Sequence, residues 1–481
     1  MNDCSHLIKI SNFKNEESVS YPIIKLIGTI DQEGSPTCLV VDEYVRLTNN
    51  NTSSKRAKII NNKFKFILEL QHGQNELSLT YCSKSVRFIL NYQDNKSVYS
   101  VQPLYIVCQG HDGKFQAPKQ ENNTIESACK RILLASKLLQ CVTAEKLYEN
   151  NLGRKTFKLQ PQCDVFQSGL NYLEARKMTG EQLWEHFGRE IMNSSIGDTK
   201  KKYLAFLSCS WYNGDQYNSS LKTHDDLVRI TDGYVALGGG GLALFGTACL
   251  HTWPERFEDV VDKFEDATPV DRIQFLDDSC YRGTYGACFS TTLGSVLHEL
   301  YHTFNLGHTK EGIMGRGFDD IYKVFTVIEG NSSKDISKAY QNKIEFKEEF
   351  ESEKLSERLK KETKKKDFSI IMKYDETDDT HLNKSCAVLL FYHRWFNTNQ
   401  DESGKYKLTY DPLSKFIKST AGIRVIEIRD QKNETVLMDW TYEGKIFKTF
   451  FTLQECPIDV CDSNFLLVVE DSHGNVLKEN I

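Results

Sequence analysis

The amino-acid sequence predicts an α+β fold in which a mixed twisted sheet and one long helix are flanked by N- and C-terminal β-sandwich modules. Three observations predict it: alternating apolar residues near both ends, a continuous apolar run at 203–209, and helical periodicity at 290–304. A chain of 481 residues is long enough for about three domains of roughly 150 residues each. We therefore predict modules at 1–115, 116–400 and 401–481.

The N-terminal module is predicted from short strands separated by turns. Candidate strands cover residues 23–28, 64–70, 77–81, 86–90 and 104–108. The Gly-Gln-Asn stretch that begins at Gly73 separates two alternating segments, which is typical of a β-hairpin. Strands at this spacing indicate a β-sandwich over residues 1–115.

The central segment, 116–400, combines helical and strand patterns. Amphipathic helices are predicted at 124–148 and 179–192, and the apolar run at 203–209 indicates a buried central strand. The four glycines that begin at Gly238 are not followed by Lys-Ser/Thr, so a phosphate-binding loop is disfavoured. Two interpretations remain: a flexible surface loop, or an edge strand that an extended peptide can approach. The candidate residues of that edge strand are Gly239, Gly240, Gly241 and Leu242.

Two features define the C-terminal half. Residues 329–382 are dense in charge and poor in aromatic residues, which favours a solvated helix or a disordered insertion. Strand patterns at 423–428, 445–451 and 465–470 then predict a β-rich module over 401–481.

Composition limits the partners. The net charge of −6 is too small to indicate nucleic acid or an anionic membrane surface, and no apolar window of about 18 residues indicates a transmembrane helix. The N-terminal residues do not form a secretory signal, so we expect a cytoplasmic protein whose 14 cysteines are mostly reduced. Local disulfides between Cys280 and Cys288, or between Cys456 and Cys461, stay possible. The sequence does not indicate an oligomeric state.

The predicted helix at 290–304 carries the strongest chemical signal. His298 and His302 stand four residues apart, which places both imidazoles on one helix face, and His308 follows six residues later. Three histidines can occupy three corners of a zinc tetrahedron and leave the fourth for water, as in a catalytic site. Glu299 adjoins the first ligand and can act as general base when the zinc-activated water attacks a peptide carbonyl.

Asn305 and Met314, which lie close to the histidines in sequence, have predicted roles in the same site. The helix must end soon after His302 for the chain to bring His308 back, and Asn305 tolerates the positive φ that such a turn requires. Met314 could form an apolar floor beneath the metal.

The stretch from His298 resembles the metzincin signature His-Glu-x-x-His-x-x-Gly-x-x-His followed by a Met-turn, with Asn305 in place of the usual glycine. The chain more narrowly resembles the putative zinc metallopeptidase family of fungi and animals. That resemblance rests on residues 204–207, on the glycine-rich strand that leads to Trp253-Pro254, and on Gly312-Ile313-Met314.

The resemblance implies a metzincin-like catalytic domain in the central segment and a zinc endopeptidase that acts on a protein or peptide. It implies one catalytic Zn²⁺ held by His298, His302 and His308. It also implies that Glu299 is the general base, that Met314 is the Met-turn residue and that the strand at 237–246 aligns substrate. The alternative is a non-catalytic protein-interaction scaffold in which the zinc is structural.

Overall fold

The computed structural model describes residues 4–32, 42–50, 54–221, 223–326, 380–397, 405–453 and 465–481. Within these ranges the protein is a mixed α+β fold with several sheets, which confirms the predicted fold class. The charged insertion predicted at 329–382 lies outside the described residues except for its last three positions, as does the pair Cys456 and Cys461. Cys280 and Cys288 are both free thiols, so the local disulfide considered for them is absent.

The N-terminal strands form two sheets packed face to face. They are β1 (His6–Ile10), β2 (Glu17–Val19), β3 (Ile23–Gln32), β4 (Tyr44–Asn49), β5 (Ser54–Lys58), β6 (Lys63–Glu69), β7 (Gly73–Tyr81) and β8 (Lys84–Tyr92). One sheet has the order β1-β3-β6 and the other β2-β8-β7-β4-β5. Leu26 and Phe66 from the first sheet and Leu77 and Leu79 from the second are buried in one shared core. Alternating burial along these strands is what a sandwich requires, since each sheet covers one face of the other.

A five-stranded sheet forms the centre of the molecule. The strands of this region are β9 (Ser100–Gln109), β10 (Asp164–Asn171), β11 (Lys201–Leu207), β12 (Trp211–Tyr212), β13 (Thr231–Asp232), β14 (Ala236–Gly239) and β15 (Leu242–Gly246). The sheet order is β10-β9-β11-β15-β14, and only the edge strand β14 runs antiparallel to its neighbour. Strand β9 belongs to this sheet although it lies within residues 1–115. The division of the chain into three domains stays a prediction.

The described helices vary greatly in length. They are α1 (Ile125–Glu149), α2 (Tyr172–Ala175), α3 (Gly180–Met192), α4 (His224–Arg229), α5 (Val260–Phe264), α6 (Tyr285–Thr303), α7 (Tyr322–Phe325) and α8 (Lys384–Tyr392). Single 3₁₀ turns occur at Gly214–Gln216, Leu250–Thr252, Phe257–Asp259, Gly317–Asp320 and Arg394–Phe396. The helix predicted from residue 290 begins five residues earlier, because the Thr284 hydroxyl accepts from the Ala287 N–H and caps it there.

The C-terminal strands form one sheet around a long, bent strand. They are β16 (Leu408–Asp411), β17 (Phe416–Asp430), β18 (Val436–Thr441), β19 (Lys448–Thr452), β20 (Phe465–Asp471) and β21 (Val476–Asn480). The first half of β17 pairs with β16 and β19, and the second half pairs mainly with β18 and β20. The register changes around Gly422, whose φ of 93° favours glycine. The register shift between Lys418 and Ile423 therefore separates the two halves of β17.

Helix α6 is buried among these elements. Leu293, Leu297 and Leu300 lie in the same apolar core as residues of helices α1 and α8 and of the N-terminal sandwich. The Tyr301 hydroxyl is completely buried and lies 3.0 Å from the Thr143 hydroxyl of α1. Each fully buried leucine contributes about 1.5–3 kcal/mol relative to an exposed one, so the helix is fixed by apolar packing.

Strand β14 approaches helix α6 too closely for any side chain at the point of contact. A Cβ atom placed on Gly238 would lie 1.8 Å from the carbonyl oxygen of Glu299 and 2.8 Å from its Cα. These contacts are with backbone, which cannot rotate away. Gly238 therefore sets the distance between the edge strand and the helix.

We expect the substitution Gly238→Ala to lower the free energy of unfolding by about 1–3 kcal/mol, because the added methyl group overpacks the contact with Glu299. Gly241→Ala is the matched control, since a Cβ there meets no atom within 4 Å. Denaturant unfolding of both variants measures the difference. Equal stability of the two would contradict the close packing of β14 on α6.

Candidate metal centre

Helix α6 and the loop after it bring together the three histidines singled out in the sequence. The Nε2 atom of His302 lies 3.1 Å from Nε2 of His298 and 3.1 Å from Nε2 of His308. His298 is buried, while His302 and His308 are partly exposed. Three ring nitrogens thus converge on one point that solvent can approach from one side.

The opposite nitrogen of each ring contacts a backbone carbonyl oxygen. His298 Nδ1 lies 2.8 Å from the Ile313 oxygen, His302 Nδ1 lies 2.8 Å from the Leu306 oxygen, and His308 Nδ1 lies 2.5 Å from the Asn433 oxygen. A carbonyl oxygen can only accept, so each Nδ1 carries the proton and donates it. Each Nε2 then presents a lone pair, and none of the three can donate a hydrogen bond to another.

Three converging lone pairs repel one another unless a cation lies between them. A tetrahedral zinc ion with Zn–N bonds of about 2.0 Å separates its nitrogen ligands by about 3.3 Å. The two Nε2–Nε2 distances of 3.1 Å are close to that value. Neutral imidazoles oriented by Nδ1–H bonds to carbonyl groups are the usual ligand arrangement for zinc. The residues therefore fit one Zn²⁺.

Burial keeps the imidazoles of His298 and His302 neutral. Desolvation, with a smaller contribution from the two neighbouring rings, holds the pKa of His298 well below its ordinary value. Desolvation and the charge that His308 would carry lower the pKa of His302 to about 4. Both rings consequently have free lone pairs at neutral pH.

The end of helix α6 has the geometry that the sequence predicts. Asn305 has φ of 67°, which confirms the expected left-handed residue at this position. The Asn305 N–H donates to the His302 carbonyl, and the Leu306 N–H donates to the Tyr301 carbonyl. This pair of bonds is a Schellman motif, which ends a helix abruptly and reverses the chain toward His308.

The position of the third histidine depends on the C-terminal sheet, which the sequence analysis did not foresee. His308 donates its backbone N–H to the Glu434 carbonyl at 3.0 Å, and its own carbonyl accepts from the Val436 N–H at 2.8 Å. The β17–β18 hairpin also supplies the Asn433 carbonyl that holds the His308 ring. The hairpin contributes backbone atoms to these contacts, and about 125 residues separate it from His308 in the sequence. A local sequence pattern therefore could not have predicted them.

Arg429 anchors this hairpin to the helix end. Its completely buried guanidinium forms an ion pair with Glu427, contacts Glu434 at 2.9 Å and donates to the Asn305 carbonyl at 2.6 Å. A Cβ on Gly307 would lie 2.7 Å from Arg429 Nε, so the chain passes directly against the guanidinium. Arg429 is a positioning residue that the sequence analysis missed.

The predicted edge strand is displaced slightly along the chain. Gly239 ends the edge strand β14, Gly240 and Gly241 lie in the turn, and Leu242 begins β15, which pairs with both β11 and β14. Leu242 therefore belongs to an interior strand. The edge strand passes beside the partly exposed Glu299 through the Gly238 contact, while its role in aligning substrate stays a prediction.

Met314 lies directly after the residue that orients His298. Its side chain is 1% exposed, and its carbonyl accepts from the Thr309 N–H at 2.9 Å. The turn thus returns the chain to the metal centre, because the Ile313 carbonyl oxygen accepts the hydrogen bond from His298 Nδ1. The assignment of Met314 as a Met-turn residue stays a prediction.

A recess lies beside helix α6 one turn before Glu299. Tyr234, Asp278 and Ser295 line it, and Ser295 lies one helical turn before Glu299. His224 Nε2 lies 3.2 Å from the Asp278 carboxylate. Burial lowers the pKa of His224, but the Asp278 charge more than offsets this and raises it overall.

Helix α6 thus carries two of the clustered histidines and the adjacent Glu299, and the loop that follows it supplies the third histidine of a group that could hold a metal ion. The chain belongs to the putative peptidase family Metallopep, whose family model matches residues 7–387.

Two yeast relatives have similar sequences. A putative zinc metalloproteinase of Saccharomyces cerevisiae is 26% identical over 359 residues, which cover 68% of this chain and 50% of that protein. A putative zinc metalloproteinase of Schizosaccharomyces pombe is 27% identical over 249 residues, which cover 47% of this chain and 38% of that protein. The matched regions thus span half or less of each relative.

Among solved structures, catalytically inactive OgpA from Akkermansia muciniphila, in complex with an O-glycopeptide substrate, matches with a TM-score of 0.40 and 11% identity. The match covers 80% of this chain and 93% of that one. None of the helices in the described ranges combines the length and apolar character needed to cross a bilayer.

We expect Arg429→Met to weaken zinc binding by about 10–100-fold, since it removes the group that fixes the His308 loop. It should also destabilise the fold by about 3–5 kcal/mol, because Glu427 is left buried without a cation. Competition with a chromogenic chelator measures the zinc affinity of the folded fraction.

Arg424→Met is the matched control. Arg424 is a buried arginine on the same strand, and it donates to the Gly444 and Ile446 carbonyls, away from the metal centre. This variant should lose stability and keep the zinc affinity of the wild type. If both variants bind zinc like the wild type, Arg429 does not position the site.

The metal-free protein should lose stability as the pH falls from about 6.5 to about 4. In this window the unfolded His302, with an ordinary pKa of about 6.5, binds a proton that the folded residue, with a pKa of about 4, does not bind. Denaturant unfolding in the presence of a chelator measures the slope. His302→Gln should reduce the slope, and an unchanged slope would contradict the assigned titration.

Proposed function

We propose that the protein is a zinc-dependent endopeptidase that hydrolyses peptide bonds in a protein or peptide substrate. The observation that carries this proposal is the convergence of three Nε2 lone pairs on one partly open point. Membership of a putative peptidase family and similarity to two putative zinc metalloproteinases support the same reaction class.

His298, His302 and His308 would hold one Zn²⁺, which when bound acidifies a water molecule and polarises the scissile carbonyl. Glu299 is the general base of the proposed reaction. It adjoins the first ligand, is partly exposed, and can accept the proton from the attacking water and pass it to the leaving amine.

The edge strand β14 is the proposed docking strand for the substrate. Within the described residues, β14 pairs with β15 alone, and its contact at Gly238 fixes it beside the backbone of Glu299. An extended peptide that adds to this edge would pass next to the general base. The recess around Ser295 would then accept a substrate side chain near the scissile bond.

The alternative is a protein-interaction scaffold with a structural zinc ion. Structural zinc sites usually have four protein ligands and are closed to solvent. In the described ranges the histidine cluster has three ligand residues, and two of them are partly exposed. This geometry favours the enzyme.

We expect Glu299→Gln to retain zinc at the wild-type stoichiometry and to reduce kcat for peptide cleavage by at least about 100-fold, because the amide cannot accept the proton. Cleavage of an unbiased peptide library, together with metal analysis of the same samples, tests both parts.

Glu311→Gln is the control, since Glu311 is exposed and close in sequence but is not adjacent to a ligand. It should cleave peptides like the wild type. A wild-type protein that holds zinc and cleaves no peptide in the library would favour the scaffold instead.

A further inference from the structure

The N-terminal sandwich contains a second cluster of metal-ligand side chains, far in sequence from the histidine site. Cys4, His6 and Cys82 each place one ligand atom within 4.8 Å of the others. Cys4 Sγ lies 3.4 Å from His6 Nδ1. We propose that these three residues bind a second Zn²⁺ ion.

The donor set suits zinc. Two thiolates and an imidazole are ligands typical of tetrahedral zinc, with Zn–S bonds of about 2.3 Å and Zn–N bonds of about 2.0 Å. Those bond lengths place sulfur and nitrogen ligands about 3.5 Å apart. The observed distance between Cys4 Sγ and His6 Nδ1 is 3.4 Å. Each thiol gives up its proton on binding, and water can fill the fourth corner.

The backbone places the three donors together. His6 is the first residue of β1 and Cys4 lies two residues before it, and the two side chains meet at 3.4 Å between Cys4 Sγ and His6 Nδ1. Cys82 comes from the two-residue turn between β7 and β8, in the opposite sheet. The His6 ring is fixed by an edge-on contact with Tyr81 at 5.1 Å between centroids. A metal ion here would join the two sheets of the sandwich through residues that are far apart in the sequence.

The turn itself is unusual for cysteine. Cys82 has φ of 50°, a left-handed conformation in which glycine and asparagine are favoured. Asparagine would suit this turn better by backbone preference alone. This conformation supports the proposal beside the convergence of the three donor atoms, which carries it.

Cys82→Asn is the decisive variant because it removes the thiol. The fold should be retained, since asparagine tolerates the positive φ at this position. Metal analysis of the full chain after loading with zinc should give two ions for the wild type and one for Cys82→Asn. Cys163→Ser is the control, since Cys163 is also partly exposed and belongs to no cluster found among the described residues. It should keep two ions.

Cobalt substitution distinguishes the two sites, because only the proposed second site contributes thiolate ligands. The wild type and His302→Ala should both show thiolate-to-cobalt charge transfer in the near ultraviolet, and Cys82→Asn should lose it. Loss of one ion in His302→Ala with the charge-transfer band retained would show that the two sites are independent. The proposal fails if Cys82→Asn binds as much metal as the wild type, or if mass spectrometry shows a Cys4–Cys82 disulfide.

Discussion

The abrupt end of helix α6 at Asn305 is the constraint on which the rest of the site depends. A helix can present His298 and His302 on one face, but a third ligand on the same helix would lie a further turn along the axis. The left-handed Asn305 reverses the chain and brings His308 back to within 3.1 Å of His302. The Schellman bonds stabilise the reversal locally, and the Arg429 guanidinium stabilises it from outside by binding the Asn305 carbonyl.

The bond from Arg429 to the Asn305 carbonyl links the C-terminal sheet, more than 100 residues downstream, to the three-histidine motif. Arg429 and Glu427 are completely buried at alternate positions of β17, so removing either one leaves the other as an unpaired buried charge. Their ion pair leaves the guanidinium enough donors to bind the helix end as well. The hairpin that follows then supplies carbonyl acceptors to His308. The C-terminal strands are therefore structurally continuous with the metal centre.

The sequence predicts those parts of the site that depend on short spacing. The two histidines at helical spacing and the left-handed Asn305 both follow from interactions within a few residues. The contact of Gly238 with Glu299 and the support of His308 by Asn433 could not be predicted, because both join distant segments through backbone atoms. A glycine can mark a close approach, as Gly238 does, but backbone atoms are the same in every residue, so the sequence does not show which distant segment is approached.

The same distinction applies to the assignment of strands to sheets and to the cluster of Cys4, His6 and Cys82. The sequence predicts a strand at 104–108 in the N-terminal module, and only the parallel pairing of β9 with β10 and β11 shows that this strand joins the central sheet. Cys4 and His6 are two residues apart, a spacing that is too common to indicate a ligand pair by itself. Their significance arises when β7 and β8 carry Cys82 across the sandwich to meet them. In both cases the topology of the sheets, rather than any local pattern, decides which residues can act together.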